Sequence, residues 1–134
     1  MNGKKELKRR DLLYPEMSYQ IIGILFEVYN ELGYGYQEKY YQRAISARLK
    51  EMNFSFKEQI PVKINFQRNE IGTYFLDFII DNKIAIEIKK GDKFLKTNID
   101  QLYAYLKASG LKLGILVNFT KKGSQFKKII NLDS

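Results

Sequence analysis

Apolar residues recur every three or four positions after Pro15: Ile21, Ile22, Leu25, Phe26, Tyr29 and Leu32. That period predicts a helix opened by Pro15 and Ser18 and terminated by Gly33 and Gly35. A second helix is expected from about Gln37 to Met52, with Tyr41, Ala44, Ile45, Leu49 and Met52 as its inward stripe. Glu38 stands at the N-terminal end of the same stripe. From Ser55 to Phe66 the period shortens to two, with Val62, Ile64 and Phe66 on one face and Lys63, Asn65 and Gln67 on the other, as in a strand with one wet face. Strands are expected near Thr73 to Ile80 and Ile84 to Lys90, joined by the turn Asp81-Asn82-Lys83. Thr97, with Asp100 after it, has the form of an N-cap for a helix that Gly110 stops. Lys112 to Asn118 is apolar enough for a buried strand, and Phe126, Ile129 and Ile130 suit a short closing helix or strand. The resulting order, α-α-β-β-β-α-β, describes an α/β fold with a mixed sheet flanked by helices.

The hairpin at Asp81 to Lys83 carries most of the chemical information. A three-residue loop sets Ile80 against Ile84, Phe78 against Ile86 and Leu76 against Ile88, so every apolar side chain on that face meets an apolar partner. The same register sets Asp77 opposite Glu87 on the other face, where Phe75 and Ile79 flank Asp77 and suggest burial. Two carboxylates opposite one another repel. A buried pair is tolerated if it shares a proton, pairs with a protein cation or binds a metal. Lys89 lies two residues from Glu87, on the same face, and offsets part of the charge. On these residues alone a structural Glu87–Lys89 salt bridge on an exposed strand is the simpler reading; the apolar neighbours of Asp77 weaken it, and two carboxylates and an ammonium converging inside a basic protein suit a hard cation such as Mg²⁺.

Composition narrows the chemistry. The 134 residues include no cysteine and no histidine. Disulfides, thiolate metal sites, imidazole bases and His-based triads are therefore excluded, and a reducing cytoplasm is the expected location. Hydrophobic residues make up 45% and charged residues 28%, as in an ordinary globular protein. The formal net charge of +8 favours an anionic partner, nucleic acid before an anionic membrane. No apolar stretch approaches the length of a spanning helix, so no membrane insertion is expected. Residues 1–14 carry Lys4, Lys5, Lys8, Arg9 and Arg10 and read as a flexible basic arm ahead of a single domain over residues 15–134.

Asp77 followed across a hairpin by Glu87-Ile88-Lys89 resembles the D…(D/E)-x-K signature of the PD-(D/E)XK nuclease superfamily, with Leu76 where the proline of the name would stand. Gly35-Tyr36-Gln37-Glu38-Lys39-Tyr40-Tyr41 resembles the G-x-x-E-x-x-Y of a small branch of that superfamily. Gln101-Leu102-Tyr103-Ala104-Tyr105 resembles the Q-x-x-x-Y of its RecB-like members. The resemblance spans about Ser18 to Phe119. It implies a restriction-endonuclease-like core, α-β-β-β-α-β, and a nuclease that depends on Mg²⁺ or Mn²⁺. It further implies that Asp77, Glu87 and the backbone carbonyl of Ile88 hold the metal, with Glu38 completing the shell. Lys89 would orient the attacking water and neutralise phosphate charge, and Gln101 and Tyr105, one helical turn apart, would face the cleft.

Each of these residues also has a plain structural reading. Glu38 suits a helix N-terminus electrostatically, Tyr105 suits a core and Gln101 a surface. Lys90, Lys93 and Lys96 follow the catalytic strand and are placed to grip phosphates beside the cleft, without sequence specificity. DNA is favoured over RNA as the substrate, with repair, recombination or defence as settings. The competing functions are a catalytically silent nucleic-acid-binding module and an accessory subunit that docks an acidic protein. For so short a chain, a homodimer or a larger complex is a natural assembly.

Overall fold

The structure, a computed structural model, describes residues 13–133. Most of the basic arm expected at the N-terminus, residues 1–12, lies outside the described residues. Tyr14 packs against the core, and its carbonyl accepts the Ser18 amide at 2.8 Å, opening the first helix. Helix α1 spans Pro15–Leu32 and α2 spans Glu38–Glu51. Strands β1 (Phe56–Phe66), β2 (Asn69–Ile80) and β3 (Ile84–Lys90) follow, then α3 (Lys96–Ser109), β4 (Leu113–Thr120) and β5 (Gly123–Ile130). The strands form one mixed sheet in the order β1-β2-β3-β4-β5. Among the described residues only β3 and β4 run parallel, and α3 is the crossover that a parallel pair requires. The final segment resolves as a strand: β5 pairs antiparallel with β4 from Leu113–Ile130 to Thr120–Gly123.

Two apolar layers sandwich the sheet. Ile21, Leu25, Tyr41, Ile45 and Leu49 from α1 and α2 pack on Phe78, Ile80, Ile84, Ile86, Ile88 and the odd-numbered residues of β4. On the opposite face Leu102 and Leu106 of α3 pack on Leu76, Ile79, Ala85, Leu116 and Ile129. Gly114 lets α3 approach closely, because a Cβ there would lie 3.0 Å from two Leu102 side-chain atoms. The α1 stripe is rotated slightly from the expected one. Ser18, Ile21, Ile24, Leu25 and Val28 are buried, whereas Phe26 faces outward and meets Phe126 of β5 edge-on at 5.8 Å. The expected N-cap at Thr97 is corrected to Leu95, which has extended backbone; its carbonyl accepts the Asn98 and Ile99 amides and no side chain caps the helix.

The register of the central hairpin is the expected one at its closed end. Ile80 pairs with Ile84 and Phe78 with Ile86, and Asp81 and Asn82 turn the chain with positive φ, which short polar side chains tolerate. The pairing stops at Phe78–Ile86, and Leu76 does not face Ile88 as expected. Leu76 lies under α3 while Phe78 and Ile80 lie under α1 and α2, so β2 swaps faces at Asp77. Strand β1 swaps at the matching place: Phe56 packs with the first layer and Ile60 with the second, and between them Gln59 has φ 48°. The two strands stay in register through the swap, with Glu58 opposite Phe78 and Ile60 opposite Leu76. A local kink of this kind re-aims side chains and ends pairing with the next strand. It opens the sheet between β2 and β3 at the position of Asp77.

Candidate functional site

Asp77 occupies the place where the β2–β3 ladder ends. The Ile88 amide donates to Asp77 Oδ2 at 2.7 Å, so a carboxylate replaces the carbonyl of a neighbouring strand. Gln59 Nε2 donates to the other oxygen, Oδ1, at 3.1 Å, and also to Gln42 Oε1 of α2 at 2.7 Å. Asp77 is thus held directly from β3 and β1, and α2 steadies the Gln59 amide that holds it. It is half-buried, and Phe75 is 54% exposed and gives it no apolar cover, contrary to the expected burial between Phe75 and Ile79. The kink explains this, since it turns Phe75 outward while Ile79 stays under α3.

Glu87 is only 5% exposed. Its carboxyl is pushed well above the usual carboxylate range, first by burial, then by a hydrogen bond to Asp77 and by the Asp77 charge. The Lys89 ammonium pulls in the opposite direction, and Glu38 adds to the rise. Glu38 stands in the first turn of α2, at the rim. Much of its surface is in solvent, yet its carboxyl is also raised, first by partial burial and further by Asp77. Lys89 and a backbone hydrogen bond from Lys90 work against that rise. Glu38, Asp77, Glu87 and Lys89 therefore share one electrostatic neighbourhood, although they come from α2, β2 and β3.

The chemistry of this group is that of hard oxygen donors. Ile88 extends the set: the N–H and C=O of one strand residue point to the same side, so its carbonyl faces β2 beyond the last ladder pair. Two carboxylates and a carbonyl, with one ammonium beside them, suit a hard divalent cation better than they suit one another. Among the described residues no group of three or more acidic side chains is drawn together into a metal cage.

Residues 15–129 match the PD-(D/E)XK nuclease superfamily. The chain belongs to that superfamily. A search of curated proteins gives no match. Among solved structures, the one titled "Crystal structure of SSO0001" matches with a TM-score of 0.54 and 25% identity over 70% of this chain and 50% of that one. The chain therefore spans about half the length of that relative. The mixed sheet between α1–α2 and α3 is the restriction-endonuclease-like arrangement of the superfamily.

Around the acidic group of this PD-(D/E)XK protein the other expected residues take varied positions. Tyr105 is half-buried on α3 with its hydroxyl held protonated by burial, and Gln101 is half-buried one turn before it. Lys90 and Lys93 are exposed, and Lys96 pairs with Asp100 at 2.8 Å. Several residues at the site had no motif to reveal them. Gln59 holds Asp77 and Gln42 steadies Gln59, but a lone Gln on a helix or strand reads as surface. Tyr74 is raised by burial and then by the nearby Glu87 charge, which places it beside the buried acid. Asn118 pairs with Lys89 in the parallel β3–β4 register and is 1% exposed, yet neither polar atom of its side chain has a hydrogen-bond partner. Its interruption of the apolar run Leu113 to Phe119 was the one available signal.

Proposed function

We propose that this protein is a metal-dependent nuclease that hydrolyses phosphodiester bonds, with DNA the favoured polymer. The observation that carries this reading is the pair of acids at the opened end of the β2–β3 ladder: Asp77 takes the Ile88 amide, and beside it Glu87 is buried, its carboxyl raised first by that burial and then by Asp77. Asp77, Glu87 and the Ile88 carbonyl would hold Mg²⁺ or Mn²⁺, and Glu38 would reach the same site from α2. Such an ion would supply positive charge to a scissile phosphate and make nearby water more acidic, which matters in a chain without histidine.

The protein's own groups have distinct tasks. Asp77 is held by the Ile88 amide and Gln59 and so cannot swing toward solvent. Lys89, on the face of β3 that carries Glu87, would orient the attacking water and neutralise charge that develops on the phosphate. Gln101 and Tyr105 would line the α3 side of the cleft, and Lys90, Lys93 and Lys96 would hold flanking phosphates by charge alone.

The test is cleavage of labelled single-stranded, duplex, flapped and four-way-junction DNA with Mg²⁺, with Mn²⁺ and with chelator. Cutting is expected only with metal. Asp77→Asn and Lys89→Ala are each expected to reduce it by a factor of about a hundred or more, the usual cost of an electrostatic catalytic group. DNA binding without cutting, unchanged by metal or by either substitution, would instead identify a catalytically silent binding module.

A further inference from the structure

A second feature borders the acidic group. The segment between α1 and α2, with the first turn of α2, presents Tyr34, Tyr36 and Tyr40 to solvent, 36%, 45% and 43% exposed. Large aromatic side chains normally contribute more when buried, so three exposed together on a basic protein call for a partner. They are not loosely held. The Tyr36 ring meets Tyr40 edge-on at 6.2 Å and the buried Tyr41 at 6.1 Å. Tyr41 fixes the segment, its hydroxyl donating to the Gly33 carbonyl at 2.6 Å. Cations are interleaved with the rings: Lys39 Nζ lies 5.2 Å and the Arg43 guanidinium 5.7 Å from the Tyr40 centroid, and Lys90 Nζ lies 5.6 Å from that of Tyr34. The patch is continuous with the candidate site, since Glu38 lies between Tyr36 and Tyr40 and the Lys90 backbone hydrogen-bonds its carboxyl.

We infer that Tyr34, Tyr36 and Tyr40, with Lys39, Arg43 and Lys90, form a docking platform for a single-stranded nucleic acid beside the acidic site. The inference rests on the nuclease reading for its purpose, but not for its chemistry. Aromatic faces stack on bases of any sequence, and interleaved cations meet the phosphates between them. A duplex keeps its base faces covered by its own stacking and offers this surface only phosphates. An unpaired strand offers both.

Binding of fluorescein-labelled dT and U oligomers of about 12 nucleotides, a length within the usual site size for such platforms, tests this against a duplex of equal length. Measurements are made with metal-free protein at fixed salt, and cleavage is followed in parallel with Mg²⁺. Wild type is expected to bind the single strands at least tenfold more tightly than the duplex; the dT and U arms show whether the platform takes a DNA or an RNA strand more tightly. Tyr36→Leu/Tyr40→Leu is expected to lose at least tenfold in single-strand affinity and less than twofold for duplex. Tyr36→Phe/Tyr40→Phe is expected to keep wild-type affinity, because stacking needs the ring and not the hydroxyl; its retention separates loss of stacking from loss of fold. Equal affinity for single strand and duplex, or a Leu variant that binds like wild type, would overturn the platform. Metal-dependent cutting without single-strand preference would remove the platform and leave the nuclease reading intact. Single-strand preference without cutting on any substrate would do the reverse.

Discussion

Glu87 sets the energetic character of the site. Its folded-state pKa is raised, so between the ordinary carboxylate value of about 4.3 and the raised one the folded protein binds more protons than the unfolded chain. Stability contributed by the protonated carboxyl is present below the ordinary value and is lost as pH rises through the folded pKa. Glu87→Gln removes the group that must ionise and keeps its shape. In metal-free protein the melting temperature of Glu87→Gln is expected to exceed that of wild type by a margin that widens as pH rises from 5 to 9. Every tenfold gain in proton affinity on folding corresponds to about 1.4 kcal/mol. A margin that stays constant across that range would mean that Glu87 ionises normally. Glu38 is raised as well and adds to the slope in both proteins, so the difference between them reports Glu87 together with its coupling to Asp77.

At the level of elements, the site exists because β1 and β2 swap faces together. The hydrophobic alternation allowed the closed end of the hairpin to be read, since Ile80–Ile84 and Phe78–Ile86 are matched apolar pairs. It could not show the swap. Leu76 is as apolar as Phe78, and a period-two pattern does not reveal which layer each side chain enters. Gln59, whose positive φ marks the swap in β1, is an ordinary strand residue by composition. Thr97 failed as a cap for a related reason: capping residues are frequent inside first turns too, and here the chain enters α3 at Leu95. Glu38, Asp77, Glu87 and Lys89 could be named from the sequence because their spacing resembles a family pattern, and the fold brings the four into one electrostatic neighbourhood. Gln59 and Tyr74, beside the acids, and Gln42 and Asn118, beside Gln59 and Lys89, could not, because only the folded chain brings them there. The position of α3, which carries Gln101 and Tyr105, depends on Gly114. Gly114→Ala forces Leu102 aside and is expected to destabilise by about 1–3 kcal/mol, as overpacked cores do. The check is a denaturant midpoint; an unchanged midpoint would show that α3 has room to move.

Across the whole molecule, charge and fold pull in one direction. The chain carries a formal net charge of +8, while the candidate site gathers Glu38, Asp77 and Glu87 with a single ammonium, Lys89, beside them. Lys39, Arg43, Lys90 and Lys93 are exposed and free to meet phosphates, and Lys96 is exposed too, in a surface pair with Asp100 that a phosphate can displace. No helix among the described residues is long and apolar enough to cross a membrane. Neutralising three to five phosphates predicts that log K for single strands falls against log salt with a slope of about −2 to −3.5. Fluorescence anisotropy over a salt series measures it. A slope near zero would show that the basic surface has another purpose.

The claim on which the rest depends is that Asp77 and Glu87 form a site for a divalent ion. Calorimetric titration of Mn²⁺ into metal-free protein tests it without any assumption about substrate. Saturable binding is expected in wild type and in Lys89→Ala, and it is expected to be lost in Asp77→Asn and in Glu87→Gln. Binding that survives both carboxylate substitutions, or no saturable binding in wild type, would contradict the account.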